Sequence, residues 1–135
     1  MANRNTQEII YKDLSYQIVG AAFAVFNELG YGMPEKYYQR AFEAELQRLG
    51  IPYEREKLIV LNYKGISLGR YFVDFMVDGK VVVELKVRPR LGYVHLRQVS
   101  EYLSKLNKKL AIIIYFSKDG VHYRRVLNSK FKEPD

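Results

Sequence analysis

The chain has 135 residues, 48% hydrophobic and 27% charged, an ordinary balance for a globular protein and enough for a real core. It has no cysteine, so no disulfide framework and no thiolate metal site; it has no apolar run long enough for a bilayer and no signal-peptide layout in its first residues, and a cytoplasmic protein is the simplest expectation. Its net charge of +7 favours a polyanionic partner such as nucleic acid over a membrane.

Residues 1–12 read as a polar lead, at risk of disorder, to one domain spanning 1–135. From Asp13 the pattern turns helical: Leu14, Ile18, Ala21, Ala22, Val25 and Leu29 recur at helical spacing. Asp13 suits an N-cap and Gly30 a stop. The connector Gly30-Tyr31-Gly32-Met33-Pro34 follows, with Pro34 placed to open a second helix that runs to about Leu49. Its apolar stripe is Tyr38, Phe42, Leu46 and Leu49, and Glu35 stands at the head of that stripe. A first-turn acid complements the helix dipole. That accounts for an acid at 35, but not for its place on the inward face.

A strand is expected over 57–62, then a turn at Lys64-Gly65 and two apolar strands joined at Asp78-Gly79. After Pro89 the spacing predicts a helix over 94–106, with Leu96, Val99, Leu103 and Leu106 buried. Gln98 and Tyr102 lie one turn apart on a shared face. Residues 111–116, Ala-Ile-Ile-Ile-Tyr-Phe, have the continuous apolar character of a buried central strand. Residues 121–127 alternate as a final strand. The order of helix, helix, three strands, helix and two strands describes an α/β fold: a mixed sheet of about five strands flanked by helices.

The hairpin over 70–87 carries Asp74 on its first strand and Glu84 and Lys86 on its second. Charges on so apolar a strand pair need partners or a metal. Two acids and a lysine converging there fit a divalent-metal site; the alternative is a solvated face that Glu84 and Lys86 merely decorate. A two-residue loop at Asp78-Gly79 would send Asp74 and Glu84 to opposite faces. A three-residue loop, Val77-Asp78-Gly79, sets Asp74 opposite Val82 and places Asp74, Glu84 and Lys86 together. The two acids are then diagonal neighbours, roughly 7–8 Å apart at the backbone. Two carboxylates so placed reach one Mg²⁺, whose oxygen ligands lie at about 2.0–2.1 Å.

Glu35, Asp74 and Glu84-Leu85-Lys86, in this order and on these elements, resemble the PD-(D/E)xK nuclease superfamily. More narrowly, Gly32-Met33-Pro34-Glu35-Lys36-Tyr37-Tyr38 resembles the motif that names the GxxExxY proteins. Gln98-x-x-x-Tyr102 is similar to a motif that follows the lysine in RecB-like branches. The resemblance covers roughly residues 14–128. It departs from the family pattern at Ala24 and Phe26, where an acid and a histidine are common, and at Tyr31.

The resemblance implies a restriction-endonuclease-like core and hydrolysis of phosphodiester bonds in nucleic acid, DNA first. Asp74 and Glu84 would hold Mg²⁺ or Mn²⁺, with Glu35 directly or through water. Lys86 would steady transition-state charge, Gln98 would place the water or phosphate, and Tyr38 and Tyr102 would be accessory. Arg88, Arg90, Arg97 and Lys105, with Lys108 and Lys109 beyond, offer contacts to backbone phosphates. His95 and His122, the only histidines, are expected to be structural or solvated. A homodimer is one way for so small a chain to cut both strands of a duplex. A non-catalytic nucleic-acid-binding or partner-binding module shares the basic surface without needing a metal.

Overall fold

The computed structural model describes residues 9–134. The lead expected over 1–12 lies mostly outside them. Helices α1 (Lys12–Leu29) and α2 (Glu35–Leu49) are followed by strands β1 (Tyr53–Tyr63), β2 (Ile66–Val77) and β3 (Val81–Val87), helix α3 (Tyr93–Leu106), and strands β4 (Leu110–Ser117) and β5 (Gly120–Leu127). The five strands form one mixed sheet in the order β1-β2-β3-β4-β5. Only β3 and β4 run parallel, joined across the sheet by α3. No described helix is long and apolar enough to cross a membrane.

The sheet separates two apolar clusters. On one face α1 and α2 bury Ile18, Val25, Tyr38 and Phe42 against Phe75, Val83, Leu85, Ile112 and Ile114. On the other, α3 buries Val99, Tyr102 and Leu103 against Met76, Val82, Ala111 and Ile113. Strand β4 is covered on both sides, which is why its apolar run has no alternation. Each of its isoleucines contributes about 1.5–3 kcal/mol by leaving water. Leu49, expected in the buried stripe of α2, is 38% exposed. The helix stops at Gly50, which takes the left-handed conformation, and Leu49 turns off the stripe with that last turn.

The hairpin corrects the expected register by one step. The loop has three residues, but they are Asp78, Gly79 and Lys80, and Val77 pairs with Val81. Asp78 and Gly79 both have positive φ, at 53° and 63°. Carrying the register on, Asp74 stands across from Glu84 instead of opposite Val82. An odd loop keeps the parity, so the acids still meet.

A second irregularity carries no mark in the sequence. Tyr71 and Val73 face the α3 cluster, yet Phe75 and Val77 face the other one. The alternation of β2 therefore slips at Asp74. Strand β1 breaks its own alternation opposite it, at Glu56, whose φ is 53°, while the pairing register shifts only further out, between Leu61 and Asn62. The ladder between β2 and β3 ends at Phe75. From Asp74 outward β2 has only β1 for a neighbour, and the β1–β2 hairpin leaves the sheet as an arm.

Candidate active site

Asp74 and Glu84 sit where β2 and β3 part. The backbone N–H of Asp74 donates to Glu84 Oε2 at 2.8 Å, and the N–H of Leu85 donates to Asp74 Oδ2, also at 2.8 Å. In a regular antiparallel pair these amides would reach backbone carbonyls. Here the carboxylates take their place, so each acid holds the other strand. Glu84 is 1% exposed. The Tyr71 hydroxyl donates to its Oε1 at 2.9 Å, and Lys86 Nζ lies 3.6 Å from the same oxygen. Lys86 keeps partial access to solvent. Asp74, Glu84 and Lys86, expected together, are together.

Burial sets the protonation of the pair. It pushes Glu84 up to about 7, and the Asp74 charge adds to the push; the Asp74 amide, Lys86 and Tyr71 act against it. Asp74 is raised as well, chiefly by burial, with Glu35 adding to the effect and Lys86 and Arg55 opposing it. Two buried acids this close resist ionising together. A divalent cation is the partner that relieves both at once.

Glu35 approaches from the α1–α2 face. It opens α2, is half-buried, and its charge is felt at Asp74. Gln39 Nε2 donates to its Oε2 at 3.4 Å, and Gln39 Oε1 in turn accepts from Arg55 Nη2 at 3.5 Å. Arg55 also pairs with Glu43 at 3.0 Å and stacks over Phe75. Glu35 is thereby tied to the strand beneath Asp74 without bonding to it. Among the described residues, no three acidic or histidine side chains converge closely enough to form a ready-made metal cage.

Tyr38 is wholly buried and braces the connector between the helices. Its hydroxyl donates to the Gly30 carbonyl and accepts from the Met33 N–H at 3.4 Å, while its ring stacks on Phe116 at 4.6 Å. Gly32, at φ 107°, makes the turn that this return requires. The stretch Gly-x-x-Glu-x-x-Tyr thus has a structural logic: glycine turns, tyrosine ties back, and glutamate opens α2, where Gln39 holds its carboxylate.

Helix α3 brings Tyr102 onto Tyr71, ring stacked on ring at 4.1 Å. Tyr102 thus packs on the ring whose hydroxyl donates to Glu84. Gln98 is exposed on the outer side of α3, beside Tyr93, Val94, Arg97 and Glu101. It makes no hydrogen bond to the carboxylates among the described residues. His95, half-buried near the start of α3, takes a hydrogen bond from Arg88. Burial first, then Arg88 and Lys86, hold its pKa below the usual value. His122 bonds Ser117 Oγ at 3.1 Å and stacks on Tyr115.

The basic residues divide along α3. Arg88, Arg90 and Arg97 lie at the Lys86 end. Lys105 is in the last turn, eight residues or about 12 Å further along the axis than Arg97. Lys108 is already committed, donating to the Gly79 carbonyl at 2.9 Å, and Lys109 lies over Phe131.

Two residues in contact with this arrangement were not singled out from the sequence: Tyr71 and Arg55. With strict alternation Tyr71 faces away from Glu84, and only the slip at Asp74 brings it round. Arg55 sits in Tyr-Glu-Arg-Glu-Lys, where its charge reads as a solvated strand face.

No curated protein matches the chain. The solved crystal structure of SSO0001 shares its fold, with a TM-score of 0.55 at 19% identity. That likeness covers 87% of this chain but 58% of the other, so this chain spans well under two thirds of that protein. The sequence pattern of the PD-(D/E)XK nuclease superfamily matches residues 12–126, a span that takes in Glu35, the Asp74–Glu84 hairpin and all of α3. The chain belongs to the PD-(D/E)XK nuclease superfamily.

Proposed function

We propose that this protein is a Mg²⁺- or Mn²⁺-dependent nuclease that hydrolyses phosphodiester bonds of DNA, or of RNA. The observation that carries the reading is the buried Asp74–Glu84 pair with Lys86 Nζ 3.6 Å from Glu84. Buried acids are paired with cations or coordinate metals. Here Lys86 pairs with Glu84 alone, Arg55 acts on Asp74 without bonding it, and burial holds both pKa values up. Hard divalent ions take oxygen ligands and keep several waters. Asp74 and Glu84 fit that donor set, and Glu35 completes it directly or through water. Such an ion, when bound, supplies an acidified water and a polarised phosphate.

The chain's own residues do the rest. Lys86 stabilises the negative charge that develops on the phosphate. Tyr71 and Tyr102 hold Glu84 in place. Gln98, exposed on the outer side of α3 beside Arg97, meets the phosphate of the substrate strand and not the water at the acids. Arg88, Arg90 and Arg97 hold the backbone on either side of the cut, and Lys105 contacts it further off. Within the superfamily, Gly32-x-x-Glu35-x-x-Tyr38 supports a place among the GxxExxY proteins. We also infer one domain, working in the cytoplasm, with a homodimer as the arrangement for cutting both strands of a duplex.

A second reading is a nucleic-acid- or partner-binding module without catalysis. The observation that favours it is Glu35, held by Gln39 instead of joining the two carboxylates. A cleavage panel over single- and double-stranded DNA and RNA, with Mg²⁺ or Mn²⁺, separates the two. Cleavage that disappears in Glu84→Ala is expected. No cleavage of any substrate by the wild type with either metal gives the protein to the second reading.

A further inference from the structure

The arm formed by residues 57–72 is unlike the rest of the surface. Leu58, Val60, Tyr63, Ile66, Leu68 and Phe72 are each 41–67% exposed. Lys57, Lys64 and Arg70 lie among them, and residues 57–72 contain no acid. One side of the arm rests on α3 through Ile59, Leu61, Tyr71 and Val73. The side bearing Leu58, Val60 and Phe72 is bare. A two-stranded ribbon is marginal in water unless something covers it. The root of this arm is Asp74, and Phe72 is two residues from that acid.

From this we infer that the arm is a subsite for unpaired nucleotides, making single-stranded nucleic acid, or the unpaired part of a junction, the preferred substrate. The inference rests on the nuclease reading and names its substrate class. A second copy of the chain does not suit the arm, because Lys64 and Arg70 would meet like cations with no acid within residues 57–72 to receive them. A regular duplex offers phosphates but hides its base faces. An unpaired strand presents both, phosphates for Lys64 and Arg70 (Lys57 already lies 3.6 Å from Glu54) and bases for Phe72, Tyr63 and the aliphatic side chains. Aliphatic side chains also serve as wedges between bases. Arg70 and Phe72 lie on the bare side and Asp74 is the root of the arm, so a strand lying along that side ends beside this acid.

The test is binding of fluorescein-labelled oligonucleotides in EDTA at low salt, where nothing is cut. The probes are a 20-mer single strand and the same sequence as a blunt duplex; anionic phosphatidylserine vesicles serve as a third ligand. The variants are Tyr63→Ser and Leu68→Ser, both more than half exposed and distant from the acids. Their melting temperatures are checked against the wild type. The wild type is expected to prefer the single strand about tenfold or more, and each variant to lose several-fold of that affinity while duplex binding stays unchanged. Equal wild-type affinity for strand and duplex overturns the inference. So does a strand preference that both variants retain with unchanged melting temperature, and so does vesicle binding that falls in the variants while strand binding holds. Cleavage with no strand preference removes the subsite and leaves the nuclease. An arm-dependent strand preference without cleavage removes the nuclease and leaves the subsite.

Discussion

Asp74 and Glu84 are bonded to each other's strands: the Asp74 amide to the Glu84 carboxylate, and the Leu85 amide to the Asp74 carboxylate, each at 2.8 Å. The acids thus form part of the hairpin's hydrogen bonding as well as of the site. Replacing either removes a buried acceptor and leaves an amide unpaired, which costs about 1–3 kcal/mol.

This pair makes stability depend on pH. Glu84, raised from 4.5 to about 7, binds its proton more tightly in the folded chain than in the unfolded one. Its protonation stabilises the fold fully below pH 4.5, and that contribution is lost as pH rises through 7. The loss is on the order of 3 kcal/mol. We expect the metal-free protein to melt lower at pH 8 than at pH 5, and Glu84→Gln to flatten the difference. Melting curves across pH 4–9 test this; equal slopes for the two proteins would contradict it.

Metal should reverse that trend. A cation that binds only the folded, ionised pair raises the melting temperature by mass action. The expected rise with Mn²⁺ is larger at pH 8 than at pH 5, and is absent in Asp74→Ala. Scanning fluorimetry with and without EDTA reads both arms.

Tyr71→Phe removes a hydroxyl and keeps the ring stacked on Tyr102. Glu84 loses the donor at 2.9 Å that fixes its Oε1. Changes to groups that orient a ligand typically cost 10–100-fold in metal affinity. We expect about tenfold weaker Mn²⁺ binding by calorimetry with an unaltered far-ultraviolet spectrum, and no such change in Tyr93→Phe on the outer face of α3.

Lys86→Ala divides binding from chemistry. Removing a cation 3.6 Å from Glu84 leaves metal affinity at pH 8 equal or higher. Cleavage should nonetheless fall by about 10²-fold or more, because transition-state charge loses its partner. A Lys86→Ala protein that cuts at the wild-type rate would make the lysine a mere surface charge.

Tyr38→Phe tests the brace between the helices. The hydroxyl's bond to the Gly30 carbonyl is buried under α1 and α2. Its loss should cost about 1–2 kcal/mol in urea unfolding, with metal affinity little changed.

Much of this arrangement is legible in the sequence because it depends on spacing. The helices follow from stripes such as Tyr38, Phe42 and Leu46, and β4 from its unbroken Ile112-Ile113-Ile114. The meeting of Asp74 with Glu84 follows from parity, which survives a loop shifted by one residue. The slip at Asp74 and Glu56 is not legible, since it arises between two strands and neither sequence marks it with glycine or proline. Tyr71 and Arg55 lie on either side of that slip and were hidden with it. The division of the basic residues was hidden for another reason: Lys105 and Lys108 are near Arg97 in the chain, but α3 carries them to the Gly79 end of the sheet.

The reciprocal latch also bears on how such a chain would decay once its chemistry was no longer selected. Asp74 and Glu84 are retained for two reasons, since losing either unfastens a strand. The Lys86 side chain donates to no backbone group among the described residues and fastens no strand, so selection for folding alone would let it drift. Among descendants of this sequence, the acids would outlast the activity, and the identity of the residue at 86 would be the record of whether the activity survived.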